Sequence, residues 1–190
     1  MISSQSDQDA NVVGQSLVRT SESLEFQDAW LLARGDEPCP SRQAIELKSF
    51  ARFAPLMAII EVDMRSRSLP FRLCGSGFFD LLGFDLTGRD YLDLVDPAIK
   101  ENAFNSVIAC LDTPCGLWQS TPTQVDGGDT LHFELTIFPI SKSGAGPDHI
   151  LVFVTREKRR DAAVPTIERV HHSTVWQWID LGFGLPEIEV

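Results

Sequence analysis

The run His149-Ile-Leu-Val-Phe-Val-Thr155 constrains this chain most, because it is apolar at consecutive positions. A strand with apolar side chains on both faces is stable only where both faces are covered. The segment therefore predicts a strand in the middle of a sheet, with packed layers above and below it. Just upstream, Thr130–Ile140 alternates. Leu131, Phe133, Leu135 and Ile137 share one face, and His132, Glu134, Thr136 and Phe138 share the other. The turn signal Asp126-Gly-Gly-Asp129 and the Gly/Pro-rich residues 143–148 give this part of the chain hairpin-type connections.

The remaining elements are read around that core. Residues 56–62 and 71–75 are short apolar runs either side of the polar Asp63-Met-Arg-Ser-Arg-Ser68, the pattern of an antiparallel hairpin. Residues 116–125 make a weaker strand candidate, interrupted by Pro122. The clearest helix opens at Asp96-Pro97, with the aspartate suited to the N-cap and the proline to the first helical position. Ile99, Ala103, Phe104, Val107, Ile108 and Leu111 then recur at spacings that build one apolar face, and Thr113-Pro114 ends it. The pairs Phe78-Phe79 and Leu81-Leu82 predict one or two helical turns against the sheet. Gly75, Gly77 and Gly88 are expected at sharp turns, where glycine reaches positive φ cheaply. Near the start, Ser23 is predicted to cap a helix through Leu24, Phe26, Ala29, Trp30 and Ala33 that Gly35 terminates. Residues 43–53 are at most a short helix. Helix, hairpin, short helices, long helix and three strands give an α+β fold, a five-stranded antiparallel sheet with helices on one face and an N-terminal flanking helix.

Composition narrows the function classes. The chain has 190 residues, 43% of them apolar, enough for one domain with a buried core. Its 16 basic against 27 acidic residues leave a formal charge of −11, which argues against nucleic acid and anionic membrane as partners. The basic cluster at residues 156–160 is read accordingly as a solvated strand exit. Cys39, Cys74, Cys110 and Cys115 include no C-x-x-C pair, so zinc is unsupported and a reducing cytoplasm is expected. No apolar run approaches the ~20 residues of a membrane span, and the polar opening has no basic-then-apolar signal.

Further residues give the element order a resemblance. The Trp30 helix, Arg34-Gly35 and Pro40-Ser-Arg42 precede Phe71-Arg-Leu-Cys-Gly75 and Gly83-Phe-Asp-Leu-Thr-Gly88-Arg89. In these features the chain resembles PAS sensor domains, and within them a compact subgroup of bacterial single-domain proteins. The resemblance covers residues 28–156 as a sensor domain. Residues 1–27 are then an arm and the start of the flanking helix, and residues 157–190 an extension docking on the domain. It implies a small molecule held between the sheet and the helical insertion, with Phe78, Phe79, Phe104, Trp118 and Phe133 around it. Arg72 alternates with Phe71 and Leu73 and requires a carboxylate, from the protein or from a ligand. The cofactor stays open. Residues 97–112 lack the histidine that haem-binding relatives place on the long helix, and neither Cys74 nor Cys110 sits in the photoreactive flavin motif.

The resemblance implies a non-enzymatic sensor or interaction module. The chain departs from the family where many PAS domains leave their last strand through Asp-x-Thr, since Phe153-Val-Thr155 lacks the aspartate, and Pro165 interrupts an outgoing helix. A partner in trans is therefore expected instead of a covalently linked output, and the N-terminal helix around Phe26 and Trp30 is expected to cover the outer sheet face and to build a homodimer. Two alternatives stand beside it. One is a small enzyme with Arg72, His132 and Glu134 converging on a pocket, and the other is a purely structural interaction domain. His132-x-Glu134 superficially matches the H-x-E of zinc deaminases, but Pro114-Cys115 precedes it and no second cysteine follows at the required spacing. His171-His172 reads as an incidental surface pair. No Gly-x-Ser-x-Gly elbow or phosphate-binding glycine loop is present.

Overall fold

The computed structural model describes residues 18–144, 146–156, 167–173 and 175–187; the N-terminal arm through residue 17, the basic residues 157–160 and Pro165 lie outside the described residues. The elements are α1 (Ser21–Arg34), α2 (Leu47–Phe50), β1 (Met57–Glu61), β2 (Phe71–Cys74), α3 (Ser76–Leu82) and α4 (Lys100–Asp112). They are followed by β3 (Gly116–Val125), β4 (Thr130–Ile140), β5 (His149–Arg156), β6 (Ile167–Val170) and β7 (Val175–Ile179). All strand pairs are antiparallel. The five expected strands run in the order β2-β1-β5-β4-β3, with β5 in the middle as its two apolar faces require. The sheet does not stop there. β6 and β7 both pair with β3, β7 along Gly116–Ser120 and β6 along Thr123–Val125, making seven strands among the described residues.

Pro122 breaks nothing, because it sits at the seam between those two partners. There its carbonyl accepts from the His171 amide at 2.9 Å, and its missing N–H falls where no ladder partner stands.

Each sheet face carries its own core. On one face α3 and α4 cover Ala58, Ile60, Phe133, Ile137, Val152 and Val154, with Phe104, Val107 and Cys110 pointing down from α4. On the other, α1 and α2 cover Ile59, Phe138, Leu151 and Phe153, with Phe26 and Trp30 fully buried. Phe26 meets Phe53 at 5.3 Å and Phe153 at 5.0 Å between ring centres, and Trp30 stacks on Phe138 at 5.2 Å. The Trp30 indole donates to the Pro139 carbonyl at 3.0 Å.

Three local expectations are corrected. Thr20, not Ser23, caps α1, its hydroxyl accepting from the Ser23 amide at 3.2 Å; Ser23 is buried and bonds Thr136 at 2.6 Å. Gly75 has φ −67, so positive φ is not its reason. A Cβ there would lie 1.9 Å from the Ala54 carbonyl oxygen, and one at Gly77 would lie 2.8 Å from that of Pro55. Gly88 does turn at φ +81. Finally, Asp96 caps a short 3-10 turn through the Ala98 amide at 2.9 Å, and α4 proper begins at Lys100.

Candidate functional site

Between α3, α4 and the sheet the packing leaves a cavity of about 80 Å³. Its walls are the cavity-facing residues of the strands, among them Ile60, Phe133, Ile137, Ile150 and Val152, with Phe78, Leu81 and Leu82 from α3 and Val107 from α4. Ile167 and Val170 of β6 close one side, so the C-terminal strands contribute to the interior. The walls are apolar apart from Thr121, Thr123 and the Tyr91 phenol. A void of this character stays dry or takes an apolar group.

A second niche of about 50 Å³ adjoins it, sharing Tyr91, Val107, Thr121, Ile137 and Val170. Its chemistry differs. Asn102 and Ser106 face it from α4, Gln119 and Thr121 from β3, and His171, His172 and Ser173 from the link between β6 and β7. The Ser173 hydroxyl donates to the Ser120 carbonyl at 2.6 Å and meets the Thr121 hydroxyl at 3.0 Å; the Ser106 hydroxyl donates to the Asn102 carbonyl at 2.9 Å. Burial pushes the Tyr91 phenol up to about 12, so it remains protonated. Beside it the Asp96 amide donates to the Val170 carbonyl at 2.9 Å, and the Asp96 carboxylate lies 3.6 Å from the His171 ring.

The residues predicted from sequence scatter. Phe78 and Phe133 line the apolar cavity. Phe104 is buried in the same core, with the Arg67 guanidinium 4.5 Å over its ring, but it does not line the void. Phe79 is 59% exposed, on the outer side of α3. Trp118 lies on the opposite sheet face, because register pairs it with Thr136 and not with Phe133. Arg72 sits on the edge strand β2 and finds its carboxylate within the protein, in Glu61. Of the six residues expected around a ligand, Phe78 and Phe133 line this cavity.

Arg72, His132 and Glu134 do not converge either. Arg72 lies on β2, three strands from β4, where His132 is exposed. Glu134 is occupied on the α1 side of the sheet. It accepts from the Thr20 amide at 2.9 Å, the Thr20 hydroxyl at 2.6 Å, the Trp118 indole at 2.6 Å and the Thr155 hydroxyl at 2.8 Å. Burial pushes its carboxyl up, but the hydrogen bonds from Thr20, Trp118 and Thr155 outweigh this and hold it below the ordinary range. No group of His, Cys, Asp and Glu among the described residues could hold a metal ion. His171 is half-buried at the niche, not an incidental surface residue.

Sequence reasoning missed Tyr91, Ser106, Gln119 and Ser173. The signal for Gln119 lay in strand alternation, since it shares parity with Leu117 and Thr121. That signal was masked by reading Pro122 as a break.

The model of a PAS domain family matches residues 18–154, and the chain belongs to that family, whose members are sensory modules of signalling and generally not catalysts. Among curated proteins none matches the chain. Similar solved structures include the LOV protein of Rhodobacter sphaeroides, at 14% identity and TM-score 0.44 over 60% of this chain and 70% of that one. The PAS domain of a protein from Colwellia psychrerythraea shows 18% identity and TM-score 0.44 over 60% of this chain and 98% of that one. The LOV domain of the blue-light photoreceptor Aureochrome1 shows 13% identity and TM-score 0.43 over 60% of this chain and 89% of that one. No helix among the described residues is long and apolar enough to cross a membrane.

Proposed function

We propose that this chain is a signalling sensor that takes a small molecule into its interior and reports it to a partner protein. The observation that carries this reading is the apolar cavity adjoining a niche of buried hydroxyl and amide groups, a combination that a solid core does not need. The guest would shift the population of two packings of α4 against the sheet. Its interior volume suits a guest far smaller than a haem or a flavin. The photoreactive-cysteine chemistry has no support: burial, and secondarily Asp85, push the Cys74 thiol up to about 12, and hydrogen bonding to Cys115 together with burial raises that of Cys110. Four free thiols favour a reducing, cytoplasmic location.

The partner is a second copy or another protein in trans. Phe26 and Trp30 are fully buried against their own sheet, so α1 covers the outer face. Native mass spectrometry of the purified protein, followed by extraction and identification of what it carries, tests the reading. A bound small molecule released on unfolding supports it. A protein that is bare in every preparation and unmoved by a metabolite screen would overturn it in favour of a structural interaction domain. Light scattering with and without the released molecule then measures whether association follows binding.

A further inference from the structure

On the outer face of the sheet one charged donor lacks a protein acceptor. Among the described residues, the Nε of Arg34 is the buried side-chain nitrogen or oxygen without a hydrogen-bond partner. Arg34 stands in the last turn of α1, and its Nη1 donates to the Leu181 carbonyl at 2.6 Å. Its guanidinium carbon is 5.7 Å from the ring centres of both Trp30, which is fully buried, and Phe183, which is 45% exposed. No carboxylate among the described residues pairs with it, whereas Arg52, Arg67, Arg72 and Arg169 each face one. A buried charged donor without an acceptor is costly, and in a native fold such a group is normally met by water, an ion or a ligand.

We infer that Arg34 anchors a second ligand site, on the sheet face opposite the interior cavity, and that this site takes a small aromatic monocarboxylate. Trp30 and Leu181 belong to the core under α1, so the site shares no residue with the cavity and does not rest on the sensor reading. On a guanidinium, Nε–H and one Nη2–H point the same way, and together they match the two oxygens of one carboxylate. Nη1 is already taken by Leu181, so that fork is the edge left to a ligand. The Nε is sealed from solvent, and what completes it must be small enough to enter beneath Phe183. Phe183 stands between Gly182 at φ +96 and Gly184 at φ +88, with open space beside both, so its ring can swing aside. A planar aromatic body suits the Trp30 and Phe183 rings. A second anionic group does not, because Asp36 and Glu37 follow Arg34 in the exposed turn after α1 and Asp180 precedes the Phe183 segment.

The test uses the full-length protein with benzoate, the uncharged benzamide and the dianion terephthalate. Affinity is read by calorimetry, and the place of binding by the Arg34 Nε–H signal in heteronuclear NMR, assigned through its contacts to the Trp30 and Phe183 rings. Benzoate is expected to move that signal saturably, and to bind about tenfold or more tightly than either benzamide or terephthalate. Arg34→Lys keeps the charge but not the fork, and should weaken benzoate about tenfold or more. Should Arg34→Lys fail to fold, the Nε–H titration and the three affinities on the unaltered chain still decide. An Nε–H signal that benzoate leaves in place would overturn the inference, and would mean that an ordered water completes the donor. Benzamide or terephthalate binding as tightly as benzoate would overturn it too. So would an unchanged benzoate affinity in Arg34→Lys, which would place the ligand elsewhere.

Discussion

Glu134 shows how much a single residue's role depends on its surroundings. Alternation along β4 put it on the face away from Phe133, and that holds. What alternation could not show is that the N-cap of α1 lands on it, so that one carboxylate fastens Thr20, Trp118 and Thr155 together. Glu134→Gln keeps the shape but turns an acceptor-only group into one that must also donate. It should cost about 2 kcal/mol in urea unfolding, the scale of hydrogen bonds to a charged group. The same carboxylate gives stability a pH dependence. Its folded pKa lies below its unfolded value of roughly 4.3, so its contribution is complete above that value and is lost as pH falls through the folded one. Unfolding midpoints measured from pH 6 down to pH 3 should therefore fall less steeply in Glu134→Gln than in the unaltered chain.

Among the elements, α1 was legible and its seating was not. Phe26 and Trp30, four residues apart, announce a helix with one large apolar side, and Gly35 at φ +60 ends it. The choice between Thr20 and Ser23 as cap could not be made from residue type, since either hydroxyl serves. It is decided by Thr136 across the sheet, which takes the Ser23 hydroxyl at 2.6 Å. The helix is a structural half of the outer core and not a detachable arm. Trp30→Ala removes a fully buried indole together with its bond to Pro139, and should cost about 3–5 kcal/mol in the unfolding free energy. A far smaller loss in chemical denaturation would show that α1 does not hold this position in solution.

For the molecule as a whole, the last strands change what the five-stranded core can do. Trp178, Ile179 and Leu181 are buried, and β6 with β7 covers the outer edge of the ten-residue β3. Burying each of those large side chains stabilises the fold by roughly 1.5–3 kcal/mol, a large share of the ~5–15 kcal/mol a domain possesses. A chain ending after Arg156 should melt at markedly lower temperature and bind more of an apolar dye. Its bare β3 edge should also drive concentration-dependent association, measurable by light scattering. A shortened chain with an unchanged melting temperature and a single mass at all concentrations would contradict this role.

The sequence by itself determined the α+β class, the central place of β5, the apolar face of α4 and the family, because periodicity and turn residues act over a few positions at a time. It also separated the two faces of β4. Only the tertiary structure decided which face of β3 meets which face of β4. A strand's own alternation distinguishes its two sides but does not say which one turns inward, and register supplies that. Hence Trp118 lies outside the cavity and Gln119 inside it. The same holds for Arg72 finding Glu61, for Gly75 yielding its Cβ space to the Ala54 carbonyl, and for residues 167–179 becoming part of the sheet. Each joins segments far apart in the chain, and long-range approach leaves no local pattern to read.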